Sequence, residues 1–354
     1  MTGARSTIQG ELVPFEHCPA MDGYHCQTNS LAKMFLFHGH PVSEDMLLGL
    51  GAGMGFLYWK MKFGSSSYVF VGGRCNTKGF FKDLGKRAGV RTQLVTTSSA
   101  KKAEAELLGI LTEKKPAMLF GDMGLLPWFE FPADYHFGGH TFVACGYDGK
   151  DTVLASDMDA KASRLKKGLY HSISLGQLGK ARGSPFKPFP PKNARLDLDF
   201  SRFRRPSAHD LRAAIKQTVQ AQLHPPIKNV GVKGIRLAAH EILRWPRMFD
   251  DHELRMNLFS LYVFIEIGGT GGGCFRIMYS RFLDEATALI GDKRLEDSAK
   301  RIHRAGEIFS RIGKLFKNTE KAVDLNTRIV EASRLLGEVA DLEEHVYNDL
   351  SEHV

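Results

Sequence analysis

The sequence GYHCQTNSLAKMFLFHG, residues 23–39, places a cysteine at the start of a predicted helix. Apolar side chains from Leu31 to Phe37 recur at a spacing that gives one buried side, so we predict a helix over 28–39. Gly39 stands where a glycine commonly ends a helix. A thiol at a helix start faces unpaired N–H groups and the positive end of the helix dipole, which lower its pKa. Cys26 is therefore the candidate nucleophile.

A candidate base and its partner lie on a predicted β-hairpin. The β-type runs HTFVACGYD, which begins at His140, and TVLASD, which ends at Asp157, are joined by Gly149-Lys150-Asp151. Antiparallel pairing brings the first residues of one strand beside the last residues of the next. We therefore predict that His140 moves the proton and that Asp157, or alternatively Asp159, orients its ring. The order Cys, His, Asp is that of papain-like enzymes, and the Cys26 N–H is expected in the oxyanion hole.

The chain divides into three parts by composition. Residues 11–182 mix helical and β-type patterns, residues 183–207 hold five prolines, and residues 208–350 are helical almost throughout. Proline removes a backbone donor and breaks regular structure, so the middle part is predicted to be a connector. The C-terminal helices are predicted at 208–222, 230–243, 250–267, 274–290, 293–316 and 319–349. The predicted class is α+β, with a mixed N-terminal domain and a mostly α-helical C-terminal domain.

The positive charge is concentrated in one segment. The chain carries +9 overall, and residues 161–210 hold 12 Lys and Arg against 3 acidic residues, while the parts before and after are nearly neutral. A nucleic-acid-binding protein usually has a basic folded face and a recognisable motif, so we expect no nucleic-acid partner. The basic residues form two clusters, which are Lys161, Arg164, Lys166 and Lys167, and Arg202, Arg204 and Arg205. The segment either docks an acidic partner or anionic substrate, or is a solvated linker.

The number of cysteines and the length of the apolar runs bear on the cellular compartment in which we expect the protein. Five cysteines without a CxxC pair do not form a complete disulfide framework, so we expect free thiols in a reducing, cytoplasmic environment. The most apolar segment, residues 258–267, is too short to span a membrane and contains Glu266. The first 15 residues have no apolar core, so a secretory signal is not expected.

Two glycine-rich loops are candidates for substrate contact. The first, residues 49–55, follows a predicted helix rather than a strand, so it does not match a dinucleotide-binding loop. Its backbone would suit the wall of a substrate channel, and the candidate residues there are Gly51, Gly53, Gly55, Tyr58 and Trp59. The second loop, residues 268–273, precedes Arg276, and its N–H groups together with that guanidinium would suit an anion. A tight corner between helices is the alternative for this second loop.

Metal binding is a further interpretation of the first two cysteines. His17-Cys18 and His25-Cys26 repeat at a spacing of eight residues. Zinc ligands more often come in pairs two to four residues apart. We therefore expect no metal and no cofactor.

The motifs resemble a known family. GYHCQTNSLAKMFLFHG, SEDMLLGLGAGMGFLYW (43–59), VGGR (71–74), GGHTFVACGYD and SDMD are similar to the N-terminal domain of the butirosin-biosynthesis acyltransferase family. The second half, with NVGVKGI, IEIGGTGGGCFRIMYSRFLDEA and LEEHVY, resembles the helical domain of unassigned activity that often follows it. The resemblance implies a papain-like fold with a catalytic Cys. A family member moves an amino-acyl group from an acyl carrier protein onto an aminoglycoside amine.

The resulting hypothesis is a cysteine acyltransferase of secondary metabolism. Cys26 would attack an acyl thioester, His140 would shuttle the proton, and Asp157 would orient His140. The expected partners are an acyl carrier protein or another acyl-thioester donor and a small amine acceptor, with no membrane and a possible homo-oligomer. Two alternatives stay open: a cysteine hydrolase such as an amidase or peptidase, and a non-catalytic binding protein of the same fold.

Overall fold

The computed structural model describes residues 12–63, 66–132, 134–159, 163–187 and 189–354. Lys161 of the first basic cluster and the first residue of the predicted N-terminal domain lie outside the described residues. The strands are β1 (Met54–Phe63), β2 (Ser66–Arg74), β3 (Arg91–Val95), β4 (Ala117–Gly121), β5 (His140–Tyr147), β6 (Thr152–Met158), β7 (Gly168–Ser174) and β8 (Arg195–Asp199). The α-helices are α1 (Cys26–Phe37), α2 (Glu44–Leu50), α3 (Phe80–Ala88), α4 (Ala100–Thr112), α5 (Leu175–Gly183), α6 (Ala208–Leu223), α7 (Gly231–Ile242), α8 (Trp245–Met248), α9 (Asp251–Tyr262), α10 (Arg276–Ile290), α11 (Arg294–Leu315) and α12 (Leu325–Ser351).

The chain forms two compact units, and both are discontinuous in sequence. The first unit comprises Met1–Pro41, Gln93–Lys161 and Lys166–Asp197, and the second comprises Val42–Thr92, Ala162–Leu165 and Leu198–Val354. This division departs from the predicted one, because residues 42–92 belong with the C-terminal helices rather than with the N-terminal domain. The reason is that α2 packs against α10, and β1 against α7, in contacts that join residues far apart in the sequence.

The first unit is built on a six-stranded sheet of order β3-β8-β4-β5-β6-β7. β5 is buried along almost its whole length and pairs antiparallel with β4 and β6. β7, at the edge, alternates buried and exposed residues as a strand with one solvated face does. α1 contacts β5, and its residues from Thr28 to Phe35 are all buried. The start of α1 is thus held by packing against the central strand.

The second unit combines a two-stranded hairpin with the C-terminal helices. β1 and β2 pair antiparallel and form a two-stranded sheet among the residues that the structure describes. α10 packs on α11, α11 on α12, and α12 on α7, so their apolar sides form one core. Inside it a fully buried ion pair joins the guanidinium of Arg276 to the carboxylate of Glu343, with Nε–Oε1 at 2.7 Å. No helix in the described part of the chain is long and apolar enough to cross a membrane.

The predicted α+β class is confirmed, with a sheet and helices in the N-terminal part and a mostly helical C-terminal part. The predicted hairpin is β5–β6, and Ser43 caps α2 as a helix-opening residue should, by accepting from the Met46 N–H. Gly39 ends α1 with a φ of 76°, a conformation that suits glycine.

One prediction about strands needs correction. The predicted connector contains strand β8, which pairs with β4. In β8 the residues Arg195–Asp199 alternate polar and apolar side chains, a period-two pattern that lies between Pro191 and Pro206. The segment between these two prolines is long enough for a strand, and the proline density of the whole connector concealed its pattern.

Candidate active site

The backbone before α1 is tied down on both sides of Cys26. Gly23 and Lys166 form an antiparallel bridge in which each N–H donates to the other's carbonyl at 2.8 Å. The Asn29 side chain donates to the carbonyls of Met21 and Asp22 at 3.3 Å. His25 is extended at the N-cap of α1 and supplies no side-chain cap, so its side chain does not cover the first-turn N–H groups of this helix. Cys26, as the first residue of α1, is half-buried.

The hairpin brings His140 and Asp157 together. His140 Nε2 lies 2.7 Å from Asp157 Oδ2, and both side chains are buried. The register pairs Val143 with Ser156, so His140 and Asp157 are diagonal neighbours on one face of the sheet. With Nε2 engaged by the carboxylate, Nδ1 is the ring nitrogen left for the Cys26 thiol, to which His140 is hydrogen-bonded. Cys26, His140 and Asp157 therefore form one chain of contacts.

Charge interactions among Cys26, His140 and Asp157 favour a thiolate beside an imidazolium. Burial opposes the charged forms of Cys26, His140 and Asp157, but the contacts among them outweigh it. The pKa of Cys26 is lowered, because His140 and the Thr141 backbone favour the thiolate more than burial disfavours it. The pKa of His140 rises to about 10, since Asp157 and Cys26 stabilise the imidazolium against burial. The pKa of Asp157 is lowered, with His140 and then Lys33 overcoming its burial.

The Asp157 carboxylate is held by more than His140. Trp128 Nε1 donates to Oδ2 at 2.9 Å, and the Met158 N–H donates to Oδ1 at 2.8 Å. The Trp128 ring stacks on His171 with ring centroids 4.6 Å apart. Each contact fixes the carboxylate in the position from which it orients the imidazole.

Aromatic rings also cover the imidazole. Phe129 stands perpendicular to His140 with ring centroids 5.2 Å apart, and Phe142 stacks over the same imidazole. Sequence reasoning missed Trp128 and Phe129. The signal present was an aromatic run, LPWFEF, at residues 126–131 in the loop that precedes the predicted base, but an aromatic run does not indicate which ring faces a carboxylate.

The six predicted substrate-binding residues belong to the second unit. An added Cβ at Gly51 or Gly53 would meet the Phe80 ring, at 2.2 and 2.8 Å, so these glycines admit a packed phenylalanine. Gly55 approaches Cys75, where an added Cβ would lie 2.6 Å from the Cys75 Cβ. These surroundings are those of a packed corner, and the predicted role in substrate contact stays a prediction.

The other three predicted substrate-binding residues, Tyr58, Trp59 and Arg276, differ in exposure. Tyr58 is buried and its hydroxyl accepts from Trp245 Nε1 at 3.2 Å, while Trp59 is 45% exposed. Arg276 is fully buried, and its guanidinium donates to Glu343 and to the carbonyls of Gly55 and Cys274. These partners occupy the guanidinium, so we no longer propose Arg276 as an anion-binding residue.

Among the residues that the structure describes, no group of three or more His, Cys, Asp or Glu side chains is arranged to hold a metal ion. All five cysteines are free thiols.

Comparison with known proteins divides the chain in two. Residues 25–158 match the family described as butirosin biosynthesis protein H, N-terminal, and residues 176–350 match a domain of unknown function, DUF4872. No curated protein matches the chain significantly. The first match begins one residue before Cys26 and ends one residue after Asp157, so it spans the three residues that the fold brings together.

Proposed function

Because the chain belongs to the family of the butirosin biosynthesis protein H N-terminal domain, here followed by a DUF4872 domain, we propose that it is a cysteine-dependent acyltransferase. Family membership indicates a biosynthetic enzyme of secondary metabolism. The observation that carries the finer proposal is the contact chain from a half-buried helix-start thiol through His140 to Asp157. A structural cysteine has no need of a buried imidazole with a carboxylate behind it.

The proposed reaction has two balanced steps. The Cys26 thiolate attacks the carbonyl carbon of an acyl thioester, and the donor's thiolate leaves and takes the proton of the His140 imidazolium. An amine then attacks the acyl-Cys carbonyl, His140 accepts the amine proton, and Cys26 leaves again as a thiolate. The Cys26 N–H at the start of α1 would stabilise the oxyanion in both steps. Asp157 keeps its charge throughout and orients the ring.

A direct test is the acyl-enzyme itself. Incubation with a pantetheine thioester should add the mass of one acyl group to the protein, and peptide mapping should locate it on Cys26. Limiting iodoacetamide at neutral pH should likewise label Cys26 before the other thiols. Equal or faster labelling of Cys18 and Cys75 would remove the nucleophile claim and favour a non-catalytic binding protein.

Hydrolysis is the second candidate function, because the same three residues can pass the acyl group to water. The aromatic rings of Phe129 and Trp128 beside the catalytic base favour transfer, since they limit the water that reaches it. The partition of a preformed acyl-enzyme decides between the two. With a primary amine present, the amide should form faster than the free acid, and predominant free acid would assign a hydrolase.

The basic segment supports docking of an acidic carrier protein in part. Arg195 is paired with Glu106 and Asp197, and Arg204 with Asp210, so these side chains serve their own unit. Arg202 and Arg205 are exposed. An acidic carrier would gain on-rate from them at low salt, when the Debye length is about 10 Å at 0.1 M.

The test reverses Arg202 and Arg205 but not Arg204, which is also exposed and is paired with Asp210. Arg202→Glu with Arg205→Glu should slow acylation by a carrier-bound donor and leave a pantetheine thioester unaffected. Arg204 is kept, because its partner Asp210 also completes the capping box of α6 with Ser207. Equal rates with the carrier-bound donor at low salt would leave the segment a solvated surface.

A further inference from the structure

One lysine, Lys166, is not in contact with Cys26, His140 or Asp157 through an ion pair, but the charges of Cys26 and Asp157 act on it. Lys166 lies on the segment that follows β6 and returns alongside the residues before α1. Three contacts fix this alignment: the Gly23–Lys166 bridge, the Gly168 N–H that donates to Asp22 Oδ1 at 2.9 Å, and the Tyr170 hydroxyl that donates to the Cys18 carbonyl at 2.9 Å. The backbone of Lys166 is therefore held opposite a residue only three positions before Cys26.

The Lys166 side chain is half-buried among negative groups. Burial lowers its pKa, and Cys26, Asp157 and Asp159 act in the opposite direction as the charges that face it. Within the described ranges, no carboxylate lies at ion-pair distance from its ammonium group. The neighbouring cations differ: Arg164 is paired with Glu266 and bonded to Ser310, and Lys167 is exposed.

This arrangement leaves a cation with uncommitted donors beside the nucleophile. A lysine ammonium has three N–H donors and no acceptor, and a half-buried one gains more from an anion than an exposed one does. The bridge to Gly23 brings Lys166 to the segment that carries Cys26, and the charge of the Cys26 thiolate acts on the ammonium, so we expect the ammonium within reach of an acyl group on Cys26. An acyl group with a negative charge near its carbonyl would supply the missing partner.

We propose that Lys166 is a substrate-contacting residue that makes the Cys26 site selective for acyl groups bearing a carboxylate close to the thioester carbonyl. The proposal rests on the proposed function of Cys26 and names the class of its donor. The evidence is the backbone bridge to Gly23, the absence of an ion-pair partner among the described residues, and the shared surroundings with Cys26 and Asp157.

Two alkylating agents test this without knowledge of the substrate. Iodoacetate and iodoacetamide react with the same thiolate and lose iodide in the same way, but only iodoacetate carries a carboxylate next to the reacting carbon. The measured quantity is the ratio of the two rate constants at Cys26, by peptide mapping. Because a nearby cation favours the anionic reagent, Lys166→Gln should lower this ratio about tenfold, the effect of losing one partly screened charge interaction.

Matched variants exclude other causes. Lys166→Arg retains the charge and should keep the ratio within about twofold of the wild type, and the adjacent exposed Lys167→Gln should do the same. The imidazolium of His140 is present in every variant, so it cancels in the comparison. An unchanged ratio in Lys166→Gln, or an equal fall in Lys167→Gln, would overturn the proposal.

The same variants distinguish a failure of this proposal from a failure of the proposed function. If wild-type Cys26 is not labelled in preference to the other thiols, the nucleophile and with it the acyltransferase fail. If Cys26 is labelled selectively but the ratio does not depend on Lys166, only the substrate class fails.

A pair of donors gives the second readout. Acylation by succinyl-pantetheine should fall about tenfold in Lys166→Gln relative to acylation by butyryl-pantetheine, whose chain has the same length. An equal fall with both donors would mean that Lys166 acts on the reacting carbonyl or on folding, and would overturn the selectivity.

Discussion

Two cysteines of this chain stand at helix starts and have opposite properties. Cys26 begins α1, is half-buried, and has a lowered pKa because its hydrogen bond and charge interaction with His140 exceed the cost of burial. Cys274 lies in the 3-10 turn directly before α10, is fully buried, and has its pKa raised to about 11 by burial. The adjacent Arg276 only partly offsets that burial, and its guanidinium is bonded to Glu343.

The difference shows that a helix N-terminus does not by itself activate a thiol. The helix dipole contributes roughly 0.3–1 kcal/mol, and burial of a thiolate costs more than that unless a specific partner stabilises it. At Cys26 the partner is an imidazole whose own charge is supported by Asp157. At Cys274 the nearby cation already has a carboxylate partner within the core.

The largest effect is expected when Cys26 is replaced by alanine, with the same substitution at Cys274 as the control. Cys26→Ala should abolish acyl-enzyme formation, because the nucleophile is removed. Cys274→Ala, the matched control, should keep the same acyl-enzyme yield per folded molecule. Intact-protein mass after incubation with a pantetheine thioester measures both, and an adduct surviving in Cys26→Ala would break the comparison.

His140→Ala should reduce the acylation rate by about 10²–10⁴-fold, the usual contribution of a positioned acid–base group. The alanine variant loses both thiolate stabilisation and proton transfer. Asp157→Asn should cost less, because the ring keeps its contacts with Phe129 and Phe142. Mass spectrometry of samples quenched at successive times gives the acylation rates. An acylation rate unchanged in His140→Ala would mean that another residue is the base.

The cation beside Cys274 should act on stability rather than on reactivity. Glu343→Gln leaves Arg276 buried without its carboxylate, and removing one partner of a buried ion pair costs about 3–5 kcal/mol. We expect a loss of that size in the free energy of unfolding from urea titration. Under conditions in which Glu343→Gln is folded, the alkylation rate of Cys26 should equal that of the wild type. A slower rate in the folded variant would contradict a purely structural role of the ion pair.

The pH dependence of alkylation should separate the two thiols further. The lowered pKa of Cys26 keeps the thiolate present below the ordinary thiol value of about 8.5, and reactivity falls only as pH drops through that lowered pKa. Cys274, with a pKa of about 11 and full burial, should stay unlabelled across the neutral range. Below pH 8.5, the Cys26 rate in His140→Ala should fall about tenfold per pH unit, as for an ordinary thiol.

The smallest effect is expected at Trp128. Trp128→Phe removes one hydrogen bond to Asp157 while keeping the ring, and a bond to a charged group contributes about 1.5–3 kcal/mol, part of which solvent restores at a half-buried position. We expect a few-fold slower acylation by a pantetheine thioester, because the carboxylate that orients the imidazole is less firmly held. An unchanged acylation rate would mean that His140 and the Met158 N–H are sufficient to hold Asp157 in place.

Local patterns in the sequence account for much of the fold and for part of the site. The apolar spacing over 31–37 predicts the helix that Cys26 begins, and the β-type runs joined by a short turn predict the β5–β6 hairpin. A hairpin pairs neighbours in the sequence, so the proximity of His140 and Asp157 follows from local information. The helical periodicity of the C-terminal part is likewise local, and its helix bounds differ by a few residues from the predicted ones.

Long-range packing determined the rest. The contact between Cys26 and His140 depends on α1 packing against β5, and Trp128 reaches Asp157 from a loop that has no regular pattern. Lys166 appeared in the sequence as one charge in a basic cluster, and only the bridge to Gly23 brings its backbone to the segment that leads into Cys26.

The sequence by itself thus determined the elements, the hairpin and the choice of candidate nucleophile, because each depends on residues close together in the chain. The tertiary structure alone decided which thiol has a base, which cations are already paired, and that residues 42–92 join the C-terminal helices. The physical reason is that burial and charge pairing depend on which distant segments come into contact, and side-chain periodicity carries no information about that choice.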